Sequence, residues 1–408
     1  MKSEPSMRSC GLYVHVPFCE TKCGYCDFYS VAIYERRPPE ALLACLVREL
    51  RERSDQRTSP LRTVFVGGGT PTILPVEQLS ELFTPLHRLA ATDRVVEFTV
   101  EANPATLDDA KLAVLVDAGV DRISMGAQSF DPADLTVLER LHSPDDIAPS
   151  VALARRHGIR RLNLDLIFGI PHQTLASWQR SLERALGLEV DHIACYGLTY
   201  EPGTRLTKQL RQGRISPCDE GLAAEMYEWA VDRLSDAGYE QYEISNFARP
   251  GQQCLHNLIY WRNEDYIGAG PSAAGYVNGE RYKNIADVAG YIRRIRENGR
   301  AVMESEHLTG SAAAADTLMM QLRLNEGVDA GAFISRHGDV AWRQIATCAA
   351  RWERLGMVAL DERRLGLTRK GRLVADAVLV ELLAALDEPC AVRAPDQYPP
   401  LRILTAKV

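Results

Sequence analysis

The chain has 408 residues, of which 46% are hydrophobic and 25% charged, and its formal net charge is −7. This length predicts two domains, or a barrel with an appendage, and the composition is typical of a globular protein with a sizeable core. The acidic balance argues against a protein built to neutralise nucleic-acid phosphates, and no apolar stretch reaches the roughly 18–20 residues that span a bilayer. Because residues 1–10 are polar, we expect no signal peptide and a cytoplasmic location.

The first 200 residues alternate short β-branched runs with amphipathic helical patterns. The strand-like runs are Gly11–Val16, Thr63–Val66, Val95–Val100, Arg122–Met125, Leu162–Ile167 and His192–Tyr196. The helical segments are Pro39–Arg53, Val76–Leu89, Leu107–Asp117, Ile147–His157 and Thr174–Leu188. This alternation predicts an α/β fold whose parallel sheet is covered by helices. About six such units fit, which predicts a partial (β/α)6 barrel like those of the TIM-barrel class.

The second half of the chain has a different pattern. It predicts a helix over 218–237, irregular structure over the Gly- and Asn-rich segment Gln252–Asn284, and then helices with one hairpin. These later helices are Leu308–Leu322, Val340–Leu355 and Thr368–Leu386, and the hairpin is Met357–Leu367. Helices followed by a short hairpin favour a winged-helix-like domain. We therefore expect a core over 1–300, a C-terminal domain over 301–386 and a tail over 387–408.

Three of the ten cysteines lie within eight residues, as Cys19-x3-Cys23-x2-Cys26. Thiolates are the usual ligands of iron–sulfur clusters, and three of them leave one iron of a cubane open to another ligand. Zinc is the main alternative, but structural zinc sites favour a second pair of ligands downstream, and none is evident. Three unrelated buried cysteines are the other alternative. The remaining cysteines are scattered, as small buried hydrophobic residues commonly are.

A glycine run follows the second predicted strand, at Gly67-Gly68-Gly69-Thr70. Glycines at a strand end let the backbone approach a ligand closely, although a plain tight turn is the alternative. The run lacks the spacing of a P-loop or a dinucleotide fingerprint. Glu101 and Gln128 follow the third and fourth strands. Because barrel sites form at the carboxyl ends of strands, these positions predict one common site.

The cysteine triplet, with the aromatic Tyr25 before its last member, resembles the signature of the radical S-adenosylmethionine (SAM) superfamily. The resemblance implies a [4Fe–4S] cluster on Cys19, Cys23 and Cys26. It also implies that SAM chelates the open iron and is cleaved by an electron from the cluster. The positions that match SAM-contacting residues of the superfamily are Tyr13, Tyr25, Gly68, Gly69, Thr70, Glu101, Gln128, Arg140 and Asp165.

Further motifs resemble the coproporphyrinogen oxidase-like group of this superfamily. They are Tyr13–Cys19, Gly67–Thr72, Glu101–Pro104, Ser124–Phe130, Asp165–Pro171 and Glu243–Phe247. The oxygen-independent oxidases of the group carry another cysteine two residues after the triplet, where this chain has Phe28. They also have a longer N-terminal extension. Both differences favour the group's heme chaperones over its oxidases.

The segment His256–Trp261, His-Asn-Leu-Ile-Tyr-Trp, resembles the heme-site motif of those chaperones. Neutral imidazole is a good axial ligand for heme iron, and Tyr260 and Trp261 offer flat apolar surface. A lone histidine beside aromatic residues is more often structural, so the resemblance is what favours His256. Cys254 is the alternative ligand.

The resemblance implies a chaperone that binds the cluster, SAM and heme, and passes heme to a hemoprotein such as one in respiratory membranes. The electron donor is undetermined. The alternative function is anaerobic oxidation of coproporphyrinogen III in porphyrin biosynthesis. Seven Lys or Arg against three Asp or Glu over 351–372 would suit a DNA-binding wing, but we expect a solvated basic face and no nucleic-acid partner.

Overall fold

The computed structural model describes residues 10–33, 38–54 and 59–387. The tail predicted beyond residue 387 lies outside these ranges. Across them, no helix combines the length and the apolar character needed to cross a membrane.

A sheet of twelve strands forms the centre of the molecule, with a three-stranded and a two-stranded sheet beside it. In the large sheet, β11, β1, β4, β5, β6, β7 and β8 are neighbours in that order and run parallel. The strands are β1 (Cys10–Val16), β2 (Phe18–Cys19), β3 (Val31–Ala32), β4 (Leu61–Gly68), β5 (Glu97–Ala102), β6 (Arg122–Gln128), β7 (Arg161–Phe168), β8 (His192–Gly197), β9 (Glu240–Gln241), β10 (Asn246–Ala248), β11 (Asp265–Ala269), β12 (Ala274–Val277), β13 (Glu280–Asn284), β14 (Val302–His307), β15 (Val328–Asp329), β16 (Val358–Leu360) and β17 (Arg364–Leu367).

Helices connect the parallel strands and continue into the C-terminal part. Several begin at side-chain caps; the Asp108 carboxylate, for example, accepts a hydrogen bond from the Lys111 backbone N–H. The helices are α1 (Glu40–Ser54), α2 (Val76–Asp93), α3 (Asp109–Asp117), α4 (Pro132–Val137), α5 (Ile147–Arg156), α6 (Leu175–Leu186), α7 (Arg205–Arg211), α8 (Glu220–Asp236), α9 (Leu255–Trp261), α10 (Val288–Asn298), α11 (Gly310–Gln321), α12 (Ala330–His337), α13 (Asp339–Arg354), α14 (Arg369–Leu373) and α15 (Ala375–Asp387).

The predicted partial barrel is confirmed. Each of the six predicted strands before residue 200 overlaps one of β1, β4, β5, β6, β7 and β8. The prediction of irregular structure over Gln252–Asn284 is wrong, because this segment forms α9 and the strands β11 to β13. Its glycines serve close packing: a Cβ on Gly268 would lie 1.9 Å from the carbonyl oxygen of Ala274. Strand β11 also adds a seventh parallel strand, beside β1.

Successive residues of a strand point to opposite faces of the sheet, and β6 shows how this divides its side chains. Ile123, Met125 and Ala127 join the apolar core between sheet and helices. Arg122, Ser124, Gly126 and Gln128 instead line a cavity on the concave face. The interior of the barrel is therefore polar along the whole strand.

The C-terminal part has the order α11, β15, α12, α13, β16, β17, which is that of a winged helix, as predicted. Its apolar residues form a second hydrophobic cluster. The helix predicted over Thr368–Leu386 is divided into α14 and α15 at Val374, where φ is −124°.

A buried ion pair joins this C-terminal part to the barrel. The Arg323 guanidinium lies 3.6 Å from the Glu243 carboxylate, and the two side chains are 4% and 0% exposed. The next residue, Ile244, belongs to the C-terminal hydrophobic cluster. The other oxygen of Glu243 accepts hydrogen bonds from Asn246 and from the Ser245 backbone N–H. One carboxylate thus links the C-terminal part to a segment that reaches the cavity.

Replacement of Arg323 by Met should destabilise the protein by about 3–5 kcal/mol, because it leaves the Glu243 charge buried without a partner. Burial raises the pKa of Glu243, and Arg323 opposes that shift. A folded-state pKa above the unfolded value favours the folded state at lower pH, where the carboxyl takes up a proton. In urea titrations we therefore expect a smaller loss at pH 5 than at pH 8. The same loss at both pH values would contradict a charged Glu243, and Arg323→Met/Glu243→Gln should recover part of the stability.

Candidate cofactor site

The cysteine loop follows β2 and is held by backbone hydrogen bonds. The Gly24 N–H donates to the Leu138 carbonyl, and the Gly24 carbonyl accepts from the Leu206 N–H. Cys19, Cys23 and Cys26 are all partly exposed, in contrast to the buried Cys254. The loop therefore presents its three sulfur atoms at the surface of a cavity while its backbone stays fixed.

Two neighbours donate hydrogen bonds to these sulfur atoms. Thr70 Oγ1 donates to Cys19 Sγ at 3.7 Å, and Arg140 Nη1 donates to Cys23 Sγ at 3.2 Å. Burial raises the pKa of Cys19 to about 11, although the hydrogen bond from Thr70 lowers it. Cys19 is therefore a neutral thiol in the metal-free chain, and metal binding must displace its proton.

Within the described ranges, no three His, Cys, Asp or Glu side chains are placed to hold a metal ion together. A cubane does not require such convergence, since each of its cysteines binds a different iron atom. The chemistry of the donor set, three thiols and two hydrogen-bond donors, fits a [4Fe–4S] cluster.

The three glycines of the run leave no room for side chains. A Cβ on Gly67 would lie 2.5 Å from Glu101 Oε2, and one on Gly69 would lie 2.4 Å from the Phe18 carbonyl oxygen. Gly68 has a φ of +100°, in the region that favours glycine. Its N–H donates to Glu101 Oε2 at 2.9 Å. The run thus packs directly against the residue before Cys19 and fixes the loop relative to β4 and β5.

Arg140 connects the cysteine loop to two strand ends. Besides Cys23, its guanidinium donates to Asn103 Oδ1 at 2.6 Å and to the Gly126 carbonyl at 2.7 Å. Gln128, at the end of β6, has a φ of +64°, a conformation that costs energy in a non-glycine residue. Strained backbone of this kind is common at binding sites.

One cavity brings together most of the residues predicted for the site. Its lining includes Cys19, Cys23, Tyr25, Cys26, Gly68, Gly69, Thr70, Glu101, Gln128, Arg140 and Asp165. Tyr13 and His256 are not part of this lining. The Tyr13 hydroxyl is instead hydrogen-bonded to His15 Nδ1 at 2.9 Å.

His256 is fully buried in α9, and both of its ring nitrogens are hydrogen-bonded. Nδ1 lies 2.7 Å from Thr63 Oγ1, and Nε2 lies 2.8 Å from the Tyr260 hydroxyl. The ring stacks on Phe65 at a centroid distance of 5.2 Å. Burial lowers the pKa of His256 to about 3, so the imidazole is neutral at pH 7. In this conformation neither nitrogen is available to a metal.

Nine polar residues of the cavity lining were missed by the sequence prediction: Thr21, Ser30, Asn103, Arg122, Ser124, Asn163, Tyr196, Asn246 and Asn257. The period of two along a strand could have identified some of them, since Arg122 must share a face with Gln128. Asn257 lies on α9, whose position beside the barrel no local pattern indicates.

The parallel-strand fold, the cysteine loop and the cavity beside it define a radical SAM protein. Residues 13–185 match the radical SAM superfamily, and residues 308–374 match the HemN C-terminal domain. The structure of coproporphyrinogen III oxidase (HemN) from Escherichia coli aligns with a TM-score of 0.78, over 93% of this chain and 91% of that one. Its sequence is 22% identical, so this likeness concerns the fold alone.

Curated relatives define the family more closely. The heme chaperone HemW of Bacillus subtilis is 36% identical over 92% of this chain and 99% of its own length. HemW of Mycobacterium tuberculosis (strain H37Rv) is 36% identical over 91% of this chain and 94% of its own. The bovine mitochondrial radical S-adenosyl methionine domain-containing protein 1 is 32% identical over 97% of this chain and 92% of its own. The chain belongs to the HemW family.

Replacement of Gly69 by Ala should weaken SAM binding, because the new Cβ forces the Phe18 backbone, and with it the cysteine loop, to move. We expect a loss of about 1–3 kcal/mol in stability, as for other overpacked sites. Equilibrium binding of SAM to anaerobically reconstituted protein measures the effect on the site. Gly187→Ala is the control, since the nearest atoms to its Cβ lie at an ordinary 3.5 Å. Equal SAM affinity in both variants would contradict this role for Gly69.

Proposed function

We propose that this chain is a heme chaperone, which binds a [4Fe–4S] cluster, SAM and heme and transfers heme to hemoprotein targets. The observation that carries the proposal is the similarity to the B. subtilis heme chaperone, which spans 99% of that protein. The acceptors we propose include respiratory proteins at a membrane, where the chain would associate peripherally. We also propose a core over 1–300 and a C-terminal domain over 301–386. The apolar residues of the C-terminal part form a hydrophobic cluster distinct from that of the barrel, which supports this division.

In this proposal Cys19, Cys23 and Cys26 hold the cluster, with Thr70 and Arg140 as donors to its sulfur ligands. When bound, the cluster supplies the single electron with which radical SAM proteins cleave SAM. The other predicted contacts would position SAM. They are the backbone of Gly68 and Gly69 and the side chains of Tyr25, Thr70, Glu101, Gln128, Arg140 and Asp165. Tyr13, which is outside the cavity lining, would act on the site only indirectly, through its hydrogen bond to His15.

The alternative function is anaerobic oxidation of coproporphyrinogen III, and the fold shared with HemN is what favours it. Both functions would use the same cavity, so the cavity alone does not distinguish the chaperone from the oxidase. Phe28 lines the cavity at the position where oxidases carry a further cysteine, which supports the chaperone.

Heme binding through His256 requires α9 to change conformation. An axial bond to iron must replace the hydrogen bond to Thr63 or the one to Tyr260. Only protein molecules in which one of these hydrogen bonds is broken can bind heme through His256. The apparent affinity for heme is therefore the intrinsic affinity multiplied by the fraction of such molecules. We therefore propose that heme uptake is limited by opening at α9.

Heme titration of anaerobically reconstituted protein tests this proposal. We expect stoichiometric binding in the wild type and loss of the axial-ligand absorption bands in His256→Ala. Tyr260→Phe removes one competing hydrogen bond, so it should increase the rate of heme uptake severalfold. Transfer of bound heme to an apo-hemoprotein is measured with the same samples.

Undiminished stoichiometric heme binding with an unchanged spectrum in His256→Ala would exclude His256 as the ligand, and Cys254→Ala is then the variant to examine. Sustained anaerobic conversion of coproporphyrinogen III to protoporphyrinogen by the wild type would favour the oxidase over the chaperone.

A further inference from the structure

Arg122 lies at the inner end of the cavity, and no described residue pairs directly with its charge. The residue is 2% exposed, at the first position of β6, and it lines the cavity. No hydrogen bond or ion pair joins its guanidinium to any of the described residues. Its neighbour Arg161 is different, since it lies 2.8 Å from the Glu97 carboxylate. A guanidinium has five N–H donors, and leaving them unpaired inside a protein is costly.

Two carboxylates balance the charge of Arg122 from a distance. Glu97 and Asp165 both act on it electrostatically. Burial alone would raise the pKa of Glu97, but Arg122 and Arg161 hold it below its ordinary value, so Glu97 is ionised. The oxygens of Glu97 are already used by Arg161 and by the backbone N–H groups of Leu255 and His256. The two carboxylates therefore stabilise the charge of Arg122, while its N–H donors stay available to another acceptor.

A second available donor faces the same space. Asn257 lines the cavity, and its side-chain amide makes no hydrogen bond to any residue in the described part of the chain. Asn163 and Asn246, also in the lining, are by contrast held by His192 and Glu243. Arg122 and Asn257 are thus two donors in the lining of one cavity for which the described residues offer no acceptor.

The floor of the barrel, where Arg122 lies, is at the opposite end of the cavity from most of the proposed SAM contacts. Asp165, in the middle of β7, is the exception, whereas Gln128 is at the end of β6 and Arg122 lies six residues before it. At roughly 3.3 Å per residue the two are about 20 Å apart along the strand. The whole cavity, the floor included, has a volume of about 170 Å³, which is less than the ~300–1,000 Å³ of pockets that enclose a drug-sized ligand. The floor is only a part of this volume, so it has room for a small group rather than for a macrocycle.

We propose that Arg122 and Asn257 form a carboxylate-binding subsite at the floor of the barrel. A carboxylate offers two acceptor oxygens to the forked guanidinium and an acceptor for the amide, and it neutralises the buried charge. Under the proposed function, on which this step rests, the carboxylate is a propionate of heme bound beside α9. A free small carboxylate is the other source of the same chemistry.

The test compares hemin with hemin dimethyl ester, whose propionates carry no charge. Affinities are measured for the reconstituted wild type, Arg122→Gln and Arg122→Lys, with Arg53→Gln as the control. Arg53 is also largely buried and pairs with Glu49, but it is not in the cavity lining. Binding of a free carboxylate is detected by comparing the thermal unfolding temperature in sodium propionate with that in sodium chloride at equal ionic strength.

We expect the wild type and Arg53→Gln to bind hemin roughly tenfold more tightly than the ester, as for one charge-assisted hydrogen-bonded pair. In Arg122→Gln this ratio should fall to about one. Arg122→Lys keeps the charge that balances Glu97 and Asp165, so it should fold even if Arg122→Gln does not. Its ratio should be intermediate, because lysine lacks the fork.

A hemin-to-ester ratio that does not depend on Arg122, together with Arg122-dependent stabilisation by propionate, would assign the subsite to a free carboxylate. If the wild type binds no hemin, the proposed function fails, and the propionate experiment alone decides on the subsite. No dependence on Arg122 in either experiment would overturn the subsite.

Discussion

Gly69 lies so close to the backbone of Phe18 that no side chain fits between them, and the site depends on this contact. It joins the end of β4 to the residue that precedes Cys19. The neighbouring Gly68 holds Glu101 at the end of β5 through its N–H. Arg140 then connects Cys23 to Asn103 and to β6. The position of the cysteine loop is thus fixed by strands whose carboxyl ends meet at one edge of the sheet.

The sequence predicted the parts of the fold that have a local pattern. The alternation of strands and helices before residue 200, the cysteine spacing and the glycine run each have a periodicity or a composition that one stretch of chain reveals. Strand β11 has no such signal, since its place is decided by pairing with β1, some 250 residues earlier. The many glycines around Gly268 suggested a loop, whereas they allow close packing between strands. Arg122 was likewise missed, because a sequence does not reveal that an arginine is buried without a partner.

Residues 254–261 show how a recognisable motif can have several structural roles. Glu97 accepts hydrogen bonds from the first backbone N–H groups of α9 and so anchors this helix beside the barrel. His256 then packs against Phe65, while Asn257 reaches the cavity. The sequence identified His256 as the residue for iron, but the fold buries it between two hydroxyl groups. If heme binds through His256 as proposed, α9 connects the heme site to the interior of the barrel.

In the proposed cofactor site, three closely spaced thiols hold a [4Fe–4S] cluster and leave one iron open to SAM. This cluster is tested by iron and sulfide analysis with EPR spectroscopy, on anaerobically reconstituted protein with and without SAM. We predict a full cluster in the wild type and in Cys218→Ser, whose thiol lies outside the cavity lining, and a reduced-cluster spectrum that changes when SAM is added. Cys23→Ser should retain little cluster. A wild type that acquires no iron and sulfide, or a Cys23→Ser variant that acquires as much as the wild type, would rule out a cluster on these three cysteines.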